Sequence, residues 1–235
     1  MTMAPPSRIS SRPPPPSRVA LAMPTEAQKN IAPIIVISAV EGWGKTSALA
    51  HAPDAAVLMA PGETGYLTLY GAGRVPAVPS ASITTWTDLL ATIDGFIADG
   101  APKTLGLDAL GGFERLCHDH ICRTEFNGDW GEKGFSSYMR GYEVSVSEWV
   151  KLLAKLERLR NTHGTTIVLL SHVKIKTFKN PQGSDFDRYT SDVHDKTWAA
   201  TAKLADAVLF GNFFIYFCFF TFFNYIDIFI FLKFF

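Results

Sequence analysis

The stretch that most restricts how this chain can fold is "PIIVISAV", residues 33–40, followed at once by "EGWGKTSALA", 41–50. Eight nearly continuous apolar residues suit a strand buried on both faces, as in a parallel sheet covered by helices. Gly42 and Gly44 then mark a tight turn. A helix is predicted from Lys45, ending before Pro53, because proline disfavours helical backbone in the residue before it. A buried strand feeding a glycine turn and a helix is the start of a βαβ unit.

The pattern repeats along the chain. Residues 55–60, "AAVLMA", read as a second buried strand, and "KTLGLDAL" as a third that ends at Asp108. "TTIVLLSH", 165–172, is a fourth, and "ADAVLF", 205–210, a fifth. Helices are predicted between them. Trp86, Leu89, Leu90, Ile93 and Ile97 recur at helical spacing, as do Val146, Trp149, Val150, Leu153, Leu156 and Leu159 over about 143–161. "FERLCHDHICRTEF" is also helical, and 173–193 reads as a polar loop. Strands alternating with helices predict an α/β fold: a mostly parallel sheet with helices on both faces and right-handed crossovers.

Composition divides the chain into three. Residues 1–30, with "PPSRISSRPPPPSR", have no apolar period and are expected to be disordered or polyproline-like. Residues 31–211 have a globular mixture. Residues 212–235 hold eleven of the 18 phenylalanines. Three readings stand for this tail: a membrane anchor, a strand pair, or sequence that is not native coding. The third is taken here. Its Phe, Ile, Tyr and Asn are what AT-rich codons yield, and Asp227 would cost about 2.5–3.5 kcal/mol at the centre of a membrane helix. A membrane partner is therefore not expected. Lysine plus arginine equals aspartate plus glutamate, 22 each, so no global field directs the chain to nucleic acid or lipid. Three cysteines make no disulfide framework, and a reducing compartment is expected.

The turn carries the chemistry. Strand, glycine turn, Gly44-Lys45-Thr46 and helix form the setting of a phosphate-binding loop. Backbone N–H groups of Glu41, Gly42, Trp43, Gly44, Lys45, Thr46 and Ser47 would cradle phosphates. Lys45 would reach the β- and γ-phosphates, and Thr46 would ligate Mg²⁺. Ala39 stands where such loops usually begin with glycine. Asp108, at the C-terminal end of its strand, faces the ligand edge of such a sheet and could hold Mg²⁺; the plain alternative is a helix N-cap. Ala109 follows it, so a water-activating carboxylate must come from elsewhere. Glu63 in "MAPGETGY" lies past the second strand at the same edge and is the candidate base, against the alternative of a solvated loop glutamate. His172, at the end of the fourth strand, could sense the γ-phosphate or be merely structural.

Together "EGWGKTSALAHAP", "LMAPGETGY", "KTLGLDALGGFERLC", "DWGEKGFSSYMRGYEV", "LLSHVKIKTFKNPQGSDFDRY" and "HDKTWAATAKLADAVLFG" resemble the RecA-like core of phage-encoded AAA-type P-loop ATPases related to single-strand annealing recombinases. The resemblance covers about residues 31–211. It implies ATP binding and Mg²⁺-dependent hydrolysis, a single-stranded DNA role in recombination or replication, homo-oligomer assembly, and the cytoplasm of a bacterial host. It also implies that the domain is incomplete after Phe210. The alternative is a nucleotide-binding accessory module that hydrolyses little and recruits recombination partners.

Two segments could touch single strands. One, about 127–141, offers Trp130, Lys133, Phe135, Tyr138 and Arg140. The other, 173–193, offers Lys174, Lys176, Phe178, Lys179, Arg188 and Tyr189. Bases stack on aromatics while cations follow phosphates. Asp185, Asp187 and Asp192 offset the second set, and a surface loop or subunit contact is the alternative. Lys174 or Lys176 could serve a neighbouring subunit's transition state. "CHDHIC", 117–122, resembles a metal box, but on a helix its four side chains do not converge.

Overall fold

The computed structural model describes residues 31–218 and 221–232, with side chains for residues 31–213. The proline-rich segment 1–30 and its expected disorder lie outside the described residues.

Six strands run parallel in the order β3-β2-β4-β5-β1-β8, and β9 adds antiparallel at the edge. They are β1 (Ile34–Ala39), β2 (Ala55–Met59), β3 (Ser80–Ser82), β4 (Thr104–Asp108), β5 (Thr166–Ser171), β8 (Ala207–Cys218) and β9 (Thr221–Leu232). The five strands expected between 33 and 210 are present, the first four within two residues of their predicted bounds. β8 starts at Ala207 and continues past Phe210: its first five residues pair with β1, and its whole length pairs with β9. The backbone of residues 212–218 and 221–232 is thus strand.

Helices cover both faces. α1 (Lys45–Ala50) and α2 (Gly65–Gly71) lie on one side, where Leu49 and Tyr66 pack with Val57, Met59, Val168 and Leu170. On the other lie α3 (Trp86–Asp99), α4 (Leu110–Glu125), α5 (Arg140–His163) and α6 (Asp195–Leu204). Their buried Trp86, Leu89, Phe113, Trp149, Leu152 and Leu156 meet Ile34, Val36, Leu105 and Leu107 of the sheet. Residues of one strand therefore alternate between two cores, which is why β1, β2, β4 and β5 read as unbroken apolar runs. Trp86 and Trp149 stack at 5.9 Å, and each indole N–H is satisfied, by Glu148 Oε1 and Thr201 Oγ1 respectively, both at 2.9 Å.

Two expectations are corrected. Residues 173–193 are not a loop. They form a twisted antiparallel ribbon of β6 (Val173–Phe178) and β7 (Phe186–Ser191), held by Phe178–Phe186 contact and Arg188 over the Phe178 ring. Exposure on both faces hid it, since an apolar stripe is the usual strand signal. Val150 does not join the core stripe of α5. It is exposed, and Leu152 takes the inward place.

Candidate functional site

At the C-terminal edge of the sheet, the loop after β1 turns through two left-handed glycines, Gly42 at φ 75° and Gly44 at φ 105°. A side chain at Gly44 would be strained by that backbone, so glycine is required for the helix to start at Lys45. Lys45 is buried, and its Nζ donates to the carbonyls of Ala39 (2.7 Å) and Val40 (3.4 Å). Burial lowers its pKa, opposed by the nearby carboxylates of Asp108, Glu63, Glu41 and Asp192. The residue at the unusual loop position, Ala39, thus holds the lysine through its backbone carbonyl rather than its side chain.

Thr46 Oγ1 donates to Asp108 Oδ2 at 2.7 Å. Asp108 ends β4 and is buried; desolvation raises its pKa, and the Thr46 hydrogen bond opposes that rise. It is not an N-cap: the residue capping α4 is Ala109, without a side-chain bond. β2 lies beside β4, with Met59 opposite Asp108 and Ala60 N–H donating to the Asp108 carbonyl at 2.7 Å. That pairing carries Glu63 to the same edge. Glu63 Oε1 meets His172 Nε2 at 3.1 Å. His172 follows β5, which lies between β1 and β4, so its ring emerges between the lysine strand and the aspartate strand.

These residues share one cavity of about 780 Å³. Glu41, Gly42, Gly44, Lys45, Thr46 and Ser47 form one wall; Glu63, Asp108 and His172 form the floor. A third wall was not anticipated: Gly65, Thr68, Leu69 and Arg74, from α2 and its following turn. The run "TGYLTLYGAGR" hid this helix because glycines interrupt it and few apolar positions repeat; Gly73 after the last turn was the available stop signal.

Trp43 does not line this cavity. Its ring lies against Gly211 of β8, where an added Cβ would sit 2.3 Å from it, and its buried Nε1 has no hydrogen-bond partner among the described residues. Only its backbone can face a ligand here. A buried cation, a hydroxyl–carboxylate pair of hard oxygens and a left-handed glycine turn together suit a polyphosphate carried with a divalent cation.

The segments considered for nucleic acid differ from expectation. Phe135 is fully buried among Ile121, Cys122 and Tyr142 and cannot stack on a base. Trp130 and Tyr138 are exposed, Tyr138 at 99%. Lys174 donates to the carbonyls of Asp192 and Val193; Lys176 pairs with Asp195, and Lys179 with Asp185. Both lysines considered as catalytic for a neighbour are thus engaged within their own chain. In "CHDHIC", Cys117 donates to the Ser145 carbonyl and His118 packs against Phe135 and Tyr142; no group of three or more metal-type side chains converges among the described residues. No described helix is long and apolar enough to cross a membrane.

No curated protein matches the chain. A solved structure, described as a prototypical ATPase from the type III secretion system of pathogenic bacteria, is similar at 14% identity and a TM-score of 0.45 over 77% of this chain. This chain covers 52% of that one, about half its length. A family model described as AAA domain matches residues 32–218, the entire run from before β1 to the end of β8. The chain therefore belongs to the AAA domain family and carries an ATP-binding domain of the AAA-type P-loop ATPases.

Proposed function

We propose that the protein is a Mg²⁺-dependent ATPase of RecA-like type that works on single-stranded DNA in recombination or replication. The observation that carries the reading is the convergence of Lys45, Thr46, Asp108, Glu63 and His172 on one cavity. ATP would lie along the 41–47 loop, with Lys45 exchanging the Ala39 and Val40 carbonyls for phosphate oxygens. Thr46 and Asp108 would hold Mg²⁺, which neutralises developing charge on the β- and γ-phosphates when bound. Glu63 would orient the attacking water and accept its proton. His172 positions Glu63 through their 3.1 Å contact and directly precedes β6, so a change at the γ-phosphate has a direct route into the ribbon.

Support for the DNA role is local. Tyr138 and Met139, both exposed, hold left-handed backbone at φ 45° and 62° just before α5. Such conformations cost energy in non-glycine residues and recur at binding sites. Trp130, Lys133 and Arg140 lie on the same segment, combining stacking groups with cations. The ribbon adds exposed Ile175, Phe186 and Tyr189, a surface suited to DNA or to a second copy in a homo-oligomer. A phage or prophage origin and a bacterial cytoplasmic setting complete the proposal, on the resemblance alone.

ATP turnover, with and without single-stranded oligonucleotide, tests it. Glu63→Gln should lower kcat by about 10²–10⁴-fold and retain ATP binding. Lys45→Ala should weaken ATP binding by about 10- to 100-fold, as loss of a charged hydrogen-bond donor does. Wild-type turnover no faster than that of Glu63→Gln would instead identify an accessory nucleotide-binding module. Absence of salt-sensitive oligonucleotide binding by the ATP-bound protein would remove the DNA role.

A further inference from the structure

Arg74 is an arginine that lines the cavity and takes no part in the roles assigned above. Its place is fixed by the end of α2. Gly73 takes φ 67°, and the N–H of Arg74 returns to the Leu69 carbonyl at 2.9 Å, while Gly73 N–H bonds the Tyr70 carbonyl. This six-to-one closure is a Schellman-type ending, which folds the chain back over the last helical turn. The next residues are anchored. Val75 is buried, and the Tyr66 hydroxyl accepts from Val78 N–H at 2.7 Å. Arg74 is therefore an exposed side chain on a firm base. Its guanidinium makes no hydrogen bond or ion pair with any described residue.

Charge makes that placement informative. The cavity wall carries three carboxylates, Glu41, Glu63 and Asp108, and only Lys45 and Arg74 as lysine or arginine. Glu63 and Gly65 stand at the start of the arm that ends in Arg74, and a Cβ on Gly65 would lie 3.5 Å from Thr46 Oγ1. The arm thus borders the hydroxyl–carboxylate end of the cavity, where a chain of phosphates running from the loop would terminate. A planar guanidinium matches two phosphate oxygens at once, which an ammonium does not.

We infer that Arg74 recognises the terminal phosphate of a nucleoside triphosphate bound in its own subunit, so that this cavity distinguishes triphosphate from diphosphate. The inference rests on the proposed nucleotide site. The side chain then reaches from its fixed base to the terminal phosphate and is released when that phosphate leaves.

Binding of a non-hydrolysable ATP analogue and of ADP, each with Mg²⁺, is measured by calorimetry for wild type, Arg74→Ala, Arg74→Lys and Lys45→Ala. Arg74→Ala should weaken the triphosphate analogue by about tenfold or more and ADP by less than about threefold. Arg74→Lys should fall between wild type and alanine for the analogue. Lys45→Ala should weaken both ligands. Thermal melting of the Arg74 variants should match wild type, since the side chain is exposed. Equal losses for both ligands, or none for the analogue, overturn the role of Arg74 and leave the nucleotide site standing. Failure of the wild type to bind either ligand overturns the site itself, and the inference with it.

Discussion

Thr46 Oγ1 and Asp108 Oδ2 lie 2.7 Å apart, although Thr46 stands in the helix after β1 and Asp108 ends β4, and β5 separates those two strands in the sheet. The contact is possible because α1 leaves β1 and crosses over the intervening strand edge. It ties the start of α1, at the end of the glycine turn, to the aspartate that ends β4. Asp108 is held at a cost, since burial raises its pKa.

That cost predicts a stability–activity exchange. An acid whose folded pKa is raised stays protonated longer when folded. The folded state therefore loses relative stability as pH rises from 3.8 through the folded value, and the deficit persists at neutral pH. Asp108→Asn removes the buried charge and can still accept from Thr46. Its ligand-free melting temperature at pH 7 should equal or exceed wild type, while Mg²⁺-dependent turnover falls by about 10²-fold or more. Melting curves at pH 4 and 7 with parallel turnover assays check both halves.

Gly211→Ala should act on nucleotide binding from the far side of the loop. The new Cβ would meet the Trp43 ring at 2.3 Å, forcing the 41–44 turn to shift. Overpacking of this kind costs about 1–3 kcal/mol. ATP affinity should drop severalfold in a folded protein, and Trp43→Leu in the same chain should restore part of it. Calorimetric titration of the two variants decides.

His118 should set an acid limit. Burial against Phe135 and Tyr142 lowers its pKa from 6.5 to about 4, helped by the charge of His194. Between those values the unfolded chain binds a proton that the folded chain does not, so this group makes stability fall as pH drops from 6.5 toward 4. The slope is at most about 1.4 kcal/mol per pH unit. Glu114, 4.0 Å away with its pKa raised by burial, and Asp108 work in the opposite sense. The difference between wild type and His118→Gln isolates the histidine: the variant should lose less stability across that window, read by denaturant melts at pH 7, 6 and 5.

The indole pair should dominate the helical core. Trp149 is 1% exposed, stacks on Trp86 and donates to Thr201. Trp149→Ala should cost about 3–5 kcal/mol and leave Thr201 without its donor. Trp149→Phe should cost less, because it keeps the ring contact and loses mainly the hydrogen bond. Urea midpoints of the two variants measure the gap.

The sequence by itself determined the alternation of elements and which polar side chains stand at single strand ends. Five apolar runs are strands because each is short, continuous and bounded by turn residues. Gly44-Lys45-Thr46 and Asp108 were legible because each belongs to one strand and the turn that follows it. Where Glu63 and His172 would meet was a matter of strand order, and only the tertiary structure settled it. Parallel pairing of β2 with β4, and insertion of β5 between β4 and β1, are long-range choices made by crossovers and two-sided packing. The α2 wall with Arg74 escaped because glycines blur its period. The β6–β7 ribbon escaped because it has no buried stripe. Phe135 and Trp43 could be read as ligand-facing until packing turned both away, since a side chain's direction depends on its neighbours in space, and residues distant along the chain supplied those neighbours.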